Sequence, residues 1–205
     1  MSVMQELRRL ADFASNDQLE HILQCGSMPD PEELSGYEYN GWNTALPFKL
    51  GPKFRKGFQQ QDGGRFTGYN VNMKLDLLSL KPNCQPWEPV DGLLSAERFG
   101  FYDVKLPGQD PVCDAYPNAL VLDYNCGLNP PPLSWTKDYL VEVNKNDPSL
   151  LLGKFYLHPF SFNTDLIRFD NKFCFSPNYF ILAKERKLPK ILDGMIKDKY
   201  YRNKK

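Results

Sequence analysis

Three carboxylates, Asp103, Asp123 and Asp138, lie within or beside runs that alternate like β-strands. Partial burial would raise such a carboxyl group toward the range where it exchanges protons with a substrate, and a tyrosine beside it would complete an acid–base pair. Asp103 or Asp123 with a tyrosine is the arrangement a small barrel enzyme of isomerase or lyase type would use; the plainer expectation is that these carboxylates cap loops or pair with Lys and Arg at a rim. Lys53, Arg55 and Lys56 offer the opposite charge. Brought to one rim, they would hold a carboxylate or phosphate head group.

Other chemistries find little support. His21 and His158 are the two histidines, and neither has a second histidine or a cysteine at metal-ligand spacing. The chain lacks a G-x-S-x-G elbow, a G-x-x-x-x-G-K-[ST] loop and a G-x-G-x-x-G turn, the arrangements that expose a nucleophile or cradle phosphate. No cofactor is implied. A different signal is the repeat of glycine, large aromatic and amide in Gly41-Trp42-Asn43 and Gly68-Tyr69-Asn70. It could set a stacking surface beside a hydrogen-bonding group, or mark close strand crossings with the aromatic packed over the glycine.

The elements that would position these residues are mostly strands. Val3, Met4, Leu7, Leu10, Ala11 and Ala14 recur at spacings of three and four and predict a helix; Ser15 and Asn16 cap a second one through about Gln24, stopped by Gly26. Asp30, Pro31 and Glu33 add one capped turn before the first strand. From Tyr37 the period changes to two. Tyr69, Val71, Met73 and Leu75 alternate with Asn70, Asn72 and Lys74, as a strand with one buried and one wet face requires. Phe54, Lys56 and Phe58 share one face of the strand before it, and Asp62-Gly63-Gly64 predicts the reversal between the two. Tyr102 to Leu106, Ala119 to Tyr124, Tyr139 to Val143, Leu151 to Leu157, Phe173 to Phe175 and Tyr179 to Ala183 continue the series, with a turn at Asn144 to Pro148.

About eight strands without long helices between them predict a mainly β chain (α+β by content): an antiparallel β-barrel or strongly curved sheet with an N-terminal helical segment and the option of a C-terminal helix. The expected organisation is one domain, with a helical lead-in over 1–35, the barrel or sheet over 36–184 and a basic segment over 185–205. Leu188, Ile191, Leu192 and Met195 give that last segment a helical stripe. Proline-rich stretches at Lys81 to Pro89 and Asn129 to Pro132 read as ordered loops, rims or lids, and Trp87 and Trp135 beside them could close over a ligand or simply pack on the barrel.

Charge balances at 25 basic and 25 acidic residues, so no global field favours a polyanion and general nucleic-acid binding is disfavoured. No apolar run approaches the roughly 20 residues of a membrane helix, and Glu6, Arg8 and Arg9 break up any signal-peptide core. A cytoplasmic location is the default expectation. The five cysteines, Cys25, Cys84, Cys113, Cys126 and Cys174, are odd in number and without C-x-x-C pairs, which favours reduced thiols.

The segment Leu34-Ser35-Gly36-Tyr37-Glu38-Tyr39, a glycine-and-aromatic first strand after an N-terminal helix with about eight strands to follow, resembles the start of a lipocalin-like (calycin or nitrobindin-type) barrel. Glu38 stands where such families carry tryptophan, and the tryptophan here is Trp42. The resemblance implies a closed barrel binding a hydrophobic small molecule or lipid without catalysis. Its expected ligand-binding residues are Trp42, Asn43, Tyr69, Asn70, Tyr102, Tyr124, Tyr139, Tyr156 and Arg55. The alternatives are the carboxylate–tyrosine enzyme and a protein–protein interaction module that uses the aromatic, proline-rich loops and the basic C-terminal segment.

Overall fold

The structure, a computed structural model, describes residues 2–44, 52–74, 87–90, 97–108, 116–157 and 175–188. Three helices open the chain: α1 (Val3–Phe13), α2 (Asn16–Cys25) and α3 (Pro31–Leu34). The first two begin with complete capping boxes. Ser2 and Ser15 accept from the backbone N–H of Gln5 and Gln18, whose side chains accept in return from the backbone N–H of the capping serines. Asp30 caps α3 at the Glu32 N–H.

Eight strands follow: β1 (Tyr37–Asn43), β2 (Lys53–Gln60), β3 (Phe66–Asn72), β4 (Arg98–Lys105), β5 (Leu120–Asp123), β6 (Thr136–Asn144), β7 (Asp147–Leu157) and β8 (Phe175–Lys187). Each pairs antiparallel with its sequence neighbours, and β8 returns to pair with β1, so the sheet closes into a barrel. The expected hairpin between β2 and β3 turns on Gly63 and Gly64, both at positive φ, and the turn after Asn144 carries Asn146 at φ 59°. The runs read separately at Phe173 to Phe175 and Tyr179 to Ala183 meet in β8, with Phe173 and Cys174 outside the described residues. The helical stripe beyond Leu188 also lies outside them. No helix among the described residues is long and apolar enough to cross a membrane.

Side chains alternate across each strand, so register and burial separate an inner set from an outer one. The inner set holds Tyr39, Phe58, Tyr102, Leu120, Leu122, Tyr124, Leu140, Leu151, Phe180 and Leu182, with Leu34 of α3 packed among them at one end. The outer set joins Trp42, Tyr69, Val71, Tyr139, Val141, Leu152 and Ile181 to Leu7 and Leu10 of α1 and Leu19 and Leu23 of α2. The sequence pattern predicted one buried and one wet face for β3, but residues 67–71 are all buried. Alternation reports two unlike faces; it does not say that the second is wet, and here helices and loops form an outer layer over much of the sheet.

Aromatic rings fill the interior by crossing glycines on the adjacent strand. A methyl group on Gly41, Gly68 or Gly153 would fall 2.4, 2.2 and 2.1 Å from the rings of Phe54, Tyr102 and Phe180 respectively. These positions need the missing side chain for close approach. The rings then meet edge to face, Tyr39 with Phe58 at 5.5 Å and Phe54 with Phe180 at 5.8 Å between centroids.

α2 is fastened to the outside of the barrel by a polar cluster. Lys154 of β7 donates to Glu20 Oε2 at 2.7 Å and to Tyr116 Oη at 2.9 Å, and the hydroxyls of Tyr116 and Tyr179 donate to Glu20. Burial pushes the Glu20 carboxyl up, but hydrogen bonds from Lys154, Tyr179 and Tyr116 outweigh it and bring the group down to about 2. A depressed carboxyl contributes stability above its unfolded value and loses it as pH falls through the folded one. The difference in melting temperature between the protein and its Glu20→Gln variant should therefore be largest at neutral pH and shrink from about pH 4.5 down toward pH 2. A difference independent of pH would show that the cluster does not hold Glu20 ionised.

Candidate binding cavity

Inside the barrel, among the described residues, one end is packed and the other holds a cavity. Toward α3 the interior is closed by Leu34, Tyr39, Phe58, Leu120 and Leu182. Toward the opposite mouth lies a cavity of about 230 Å³ bordered by Phe54, Phe99, Phe155 and Phe180 and by the amides of Asn43, Asn72 and Asn178. Between the two regions sits a layer of four polar side chains that also face the cavity: Lys56, Asn70, Tyr124 and Asp138.

Each arrives by strand parity. Lys56 stands between Phe54 and Phe58 on the inner face of β2, and Asn70 is its partner across the β2–β3 ladder. Asp138 is two residues before Leu140 on the inner face of β6, and its partner in β5 is Leu122, two residues before Tyr124. Lys56 Nζ donates to Asn70 Oδ1 at 3.1 Å, to Asp138 Oδ2 at 2.9 Å and to the Tyr124 hydroxyl. Tyr124 donates on to Asp138 Oδ2 at 3.1 Å, and Asn70 Nδ2 donates to Tyr124 Oη and to the Gly100 carbonyl. Gly100 holds a φ of 54° beside a bulge in the β3–β4 pairing, and a Cβ there would strike Asn70 Nδ2 at 2.6 Å. The glycine thus gives the asparagine its seat.

The layer is ionisable and almost fully buried. Lys56 and Asp138 are each 2% exposed, and the Lys56 ammonium lies within 6 Å of the ring centroids of Phe54, Tyr102, Tyr124 and Phe180. Burial lowers the Lys56 ammonium against the pull of Asp138 and raises the Asp138 carboxyl against the pull of Lys56. The Tyr124 hydroxyl is raised well above its ordinary value by burial and by Asp138. Asp138 Oδ1 is buried and has no hydrogen-bond partner among the described residues.

The expected ligand-binding residues divide between the two sides of the wall. Asn70 and Tyr124 belong to the polar layer, Asn43 borders the cavity and is bonded to Asn178 at 2.7 Å, and Tyr102 packs below with its hydroxyl on the Gly57 carbonyl. Trp42, Tyr69, Tyr139, Tyr156 and Arg55 lie in the outer layer. Trp42 packs edge to face on Trp87, whose indole N–H donates to the Gly41 carbonyl, and Tyr139 and Tyr156 meet edge to face at 5.3 Å beneath α2. The two Gly-aromatic-Asn repeats are therefore placed alike. In both, glycine and asparagine face inward and the aromatic faces out.

Arg55 belongs to a second buried network on the outer side. Glu38, fully buried, accepts from Tyr69 Oη at 2.9 Å, from Arg55 at 3.5 Å and from two guanidinium nitrogens of Arg186. Arg55 also donates to Asn40 Oδ1 and to the Trp87 carbonyl. Lys53, Arg55 and Lys56 do not converge: Lys56 points into the barrel, Arg55 out of it, and Lys53 lies at the mouth with its ammonium 4.8 Å from the Trp87 ring. Asp103 pairs with Arg65 and Asp123 with Lys105 at the barrel's edge, leaving Asp138 as the carboxylate that meets the cavity. His158 lies outside the described residues, as do Cys84, Cys113 and Cys174; Cys25 and Cys126 form no disulfide, and Cys126 Sγ donates to the Phe101 carbonyl.

Sequence reasoning named Asp138 beside Asp103 and Asp123 but offered one of the latter two as the acid–base carboxylate, and placed Lys56 with its neighbours rather than with Asp138. The available signal was a charged residue in phase with an apolar face, as in Phe54-x-Lys56-x-Phe58 and Asp138-x-Leu140. The sequence matches no protein-family model and no curated protein.

Proposed function

We propose that this barrel binds a compact small molecule in the cavity at the end away from α3. The observation that carries the reading is a half-filled barrel: an aromatic-walled void stands over a buried layer of hydrogen-bonding and ionisable groups. A barrel serving only as an interaction scaffold can be packed solid throughout. Four phenylalanines favour a flat, largely apolar ligand, and the volume, below the ~300–1,000 Å³ of drug-sized sites, favours a single ring over a long acyl chain. Asn43, Asn72 and Asn178 at the rim would orient its polar substituents.

The mouth can be blocked without disturbing the core, because Asn72 is exposed while bordering the cavity. Saturation-transfer NMR with a panel of single-ring aromatic compounds should find binding to the parent protein and loss of it in Asn72→Trp, with unfolding midpoints matched to about 0.5 kcal/mol. Equal binding by both proteins would place the ligand elsewhere and overturn this reading.

A further inference from the structure

We propose that Lys56 is a nucleophilic amine that captures a small aldehyde or ketone as an imine, with Asp138 and Tyr124 managing the protons. This rests on the cavity reading and deepens it by naming the reactive group of the ligand. A lysine facing a ligand cavity at a barrel's mouth has no packing advantage over methionine or leucine, and a buried ion pair is on its own weak support for a fold. The pair here faces a void instead of being sealed among apolar side chains.

The hydrogen bonds serve two proton arrangements without moving a heavy atom. With the lysine charged, its three protons go to Asn70, Tyr124 and Asp138. With one proton passed to Asp138 Oδ2, the carboxyl donates to the amine, and the amine keeps its bonds to Asn70 and Tyr124. Burial drives both groups toward this neutral form, lowering Lys56 and raising Asp138. Only one carboxyl oxygen is hydrogen-bonded, and Oδ1 has no donor to support a full negative charge. A desolvated lysine of this kind is the usual way a protein prepares an amine nucleophile.

In the reaction the Nζ lone pair forms a C–N bond to the carbonyl carbon as the carbonyl π bond breaks. The oxygen departs as water, taking one proton from Asp138 and one from the amine. What remains is a protonated imine beside the Asp138 carboxylate, the same pair of charges as the resting ammonium and carboxylate. The Tyr124 hydroxyl, bonded to both Lys56 and Asp138, is a positioning residue that relays protons between them. Phe54 and Phe180 would cover the ring of an aromatic carbonyl compound.

The probe is benzaldehyde with sodium cyanoborohydride at pH 7, followed by peptide mapping. Lysines near their ordinary value hold on the order of one amine in a few thousand at this pH, so surface labelling is slow. The expected result is one benzyl group concentrated on Lys56, retained in Lys53→Arg and lost in both Lys56→Met and Asn72→Trp. The last variant leaves the pair intact, so loss of label there does not depend on the stability of a core substitution. Benzyl alcohol binding, followed by NMR in parallel, separates the two readings. Bound alcohol with no label, or with label spread over many lysines, overturns the imine and keeps the cavity; no binding of alcohol and no label overturns both.

Discussion

Lys56→Met and Asp138→Leu should each destabilise the protein by about 3–5 kcal/mol, and the two together by less than either alone. The argument is the asymmetry of a buried ion pair. Removing one partner leaves the other group in a site with 2% exposure, where its charged form is poorly solvated, whereas an apolar pair of similar volume is often as stable as the original. Adding Tyr124→Phe removes the hydroxyl that would otherwise lose its acceptor on Asp138 and should recover a further ~1 kcal/mol or more. Urea unfolding of the four variants decides it; additive single effects would show that Lys56 and Asp138 do not act as a pair. The Lys56→Met variant also carries a pH signature. Without the ammonium, Asp138 is raised further above its unfolded value, so its stability relative to the parent should fall as pH rises from about 4 to 7. If the apolar triple variant is more stable than the parent yet loses aldehyde labelling, the polar layer is retained for its chemistry at the expense of stability.

Glu38→Gln should be equally severe, about 3–5 kcal/mol, by a different route. Glu38 is the acceptor on which Arg55, Arg186 and Tyr69 converge. Glutamine keeps the shape but leaves two guanidinium groups facing one another, one of them 3% exposed in its side chain. Combining the change with Arg186→Met, which removes the less buried cation, should restore part of the loss. Because Glu38 lies on the outer side of the wall, benzyl alcohol binding at a temperature where the variant remains folded should be unchanged. A loss below about 1 kcal/mol would mean that this network is worth no more than a surface salt bridge.

The contrast between Lys56 and Glu38 shows what could be read from the sequence. Local signals were sound: the cap at Ser15, the Asp-Gly-Gly reversal and the period-two run from Tyr69 formed where their residues called for them, the strand ending at Asn72. Antiparallel order followed from the lack of long helices between strands, and barrel closure was one of two geometries compatible with it. The facing of each strand did not follow. In a sheet wrapped by helices both parities are buried, so Tyr69, Tyr139 and Trp42 look as internal in sequence as Tyr102 and Tyr124 do. The polar layer depends on Lys56 meeting Asp138, 82 residues away. Neither periodicity nor motif spacing carries that distance. Glu38 was legible only as a departure from the lipocalin-like pattern, and its meaning needed Arg186 at the far end of the chain.

That dependence on the far end has a consequence for synthesis. β8 supplies both the partner of β1 and the partner of β7. Until Lys187 has left the ribosome, β1 to β7 stand without β8 and leave β1 and β7 each with an unpaired edge, and Glu38 has one arginine instead of two. A ribosome stalled before β8 would thus present a curved open sheet to every neighbouring nascent chain, a template for edge-to-edge pairing. Demand for chaperones should fall abruptly as β8 emerges, and nonsense truncations just upstream of it should aggregate instead of merely losing stability.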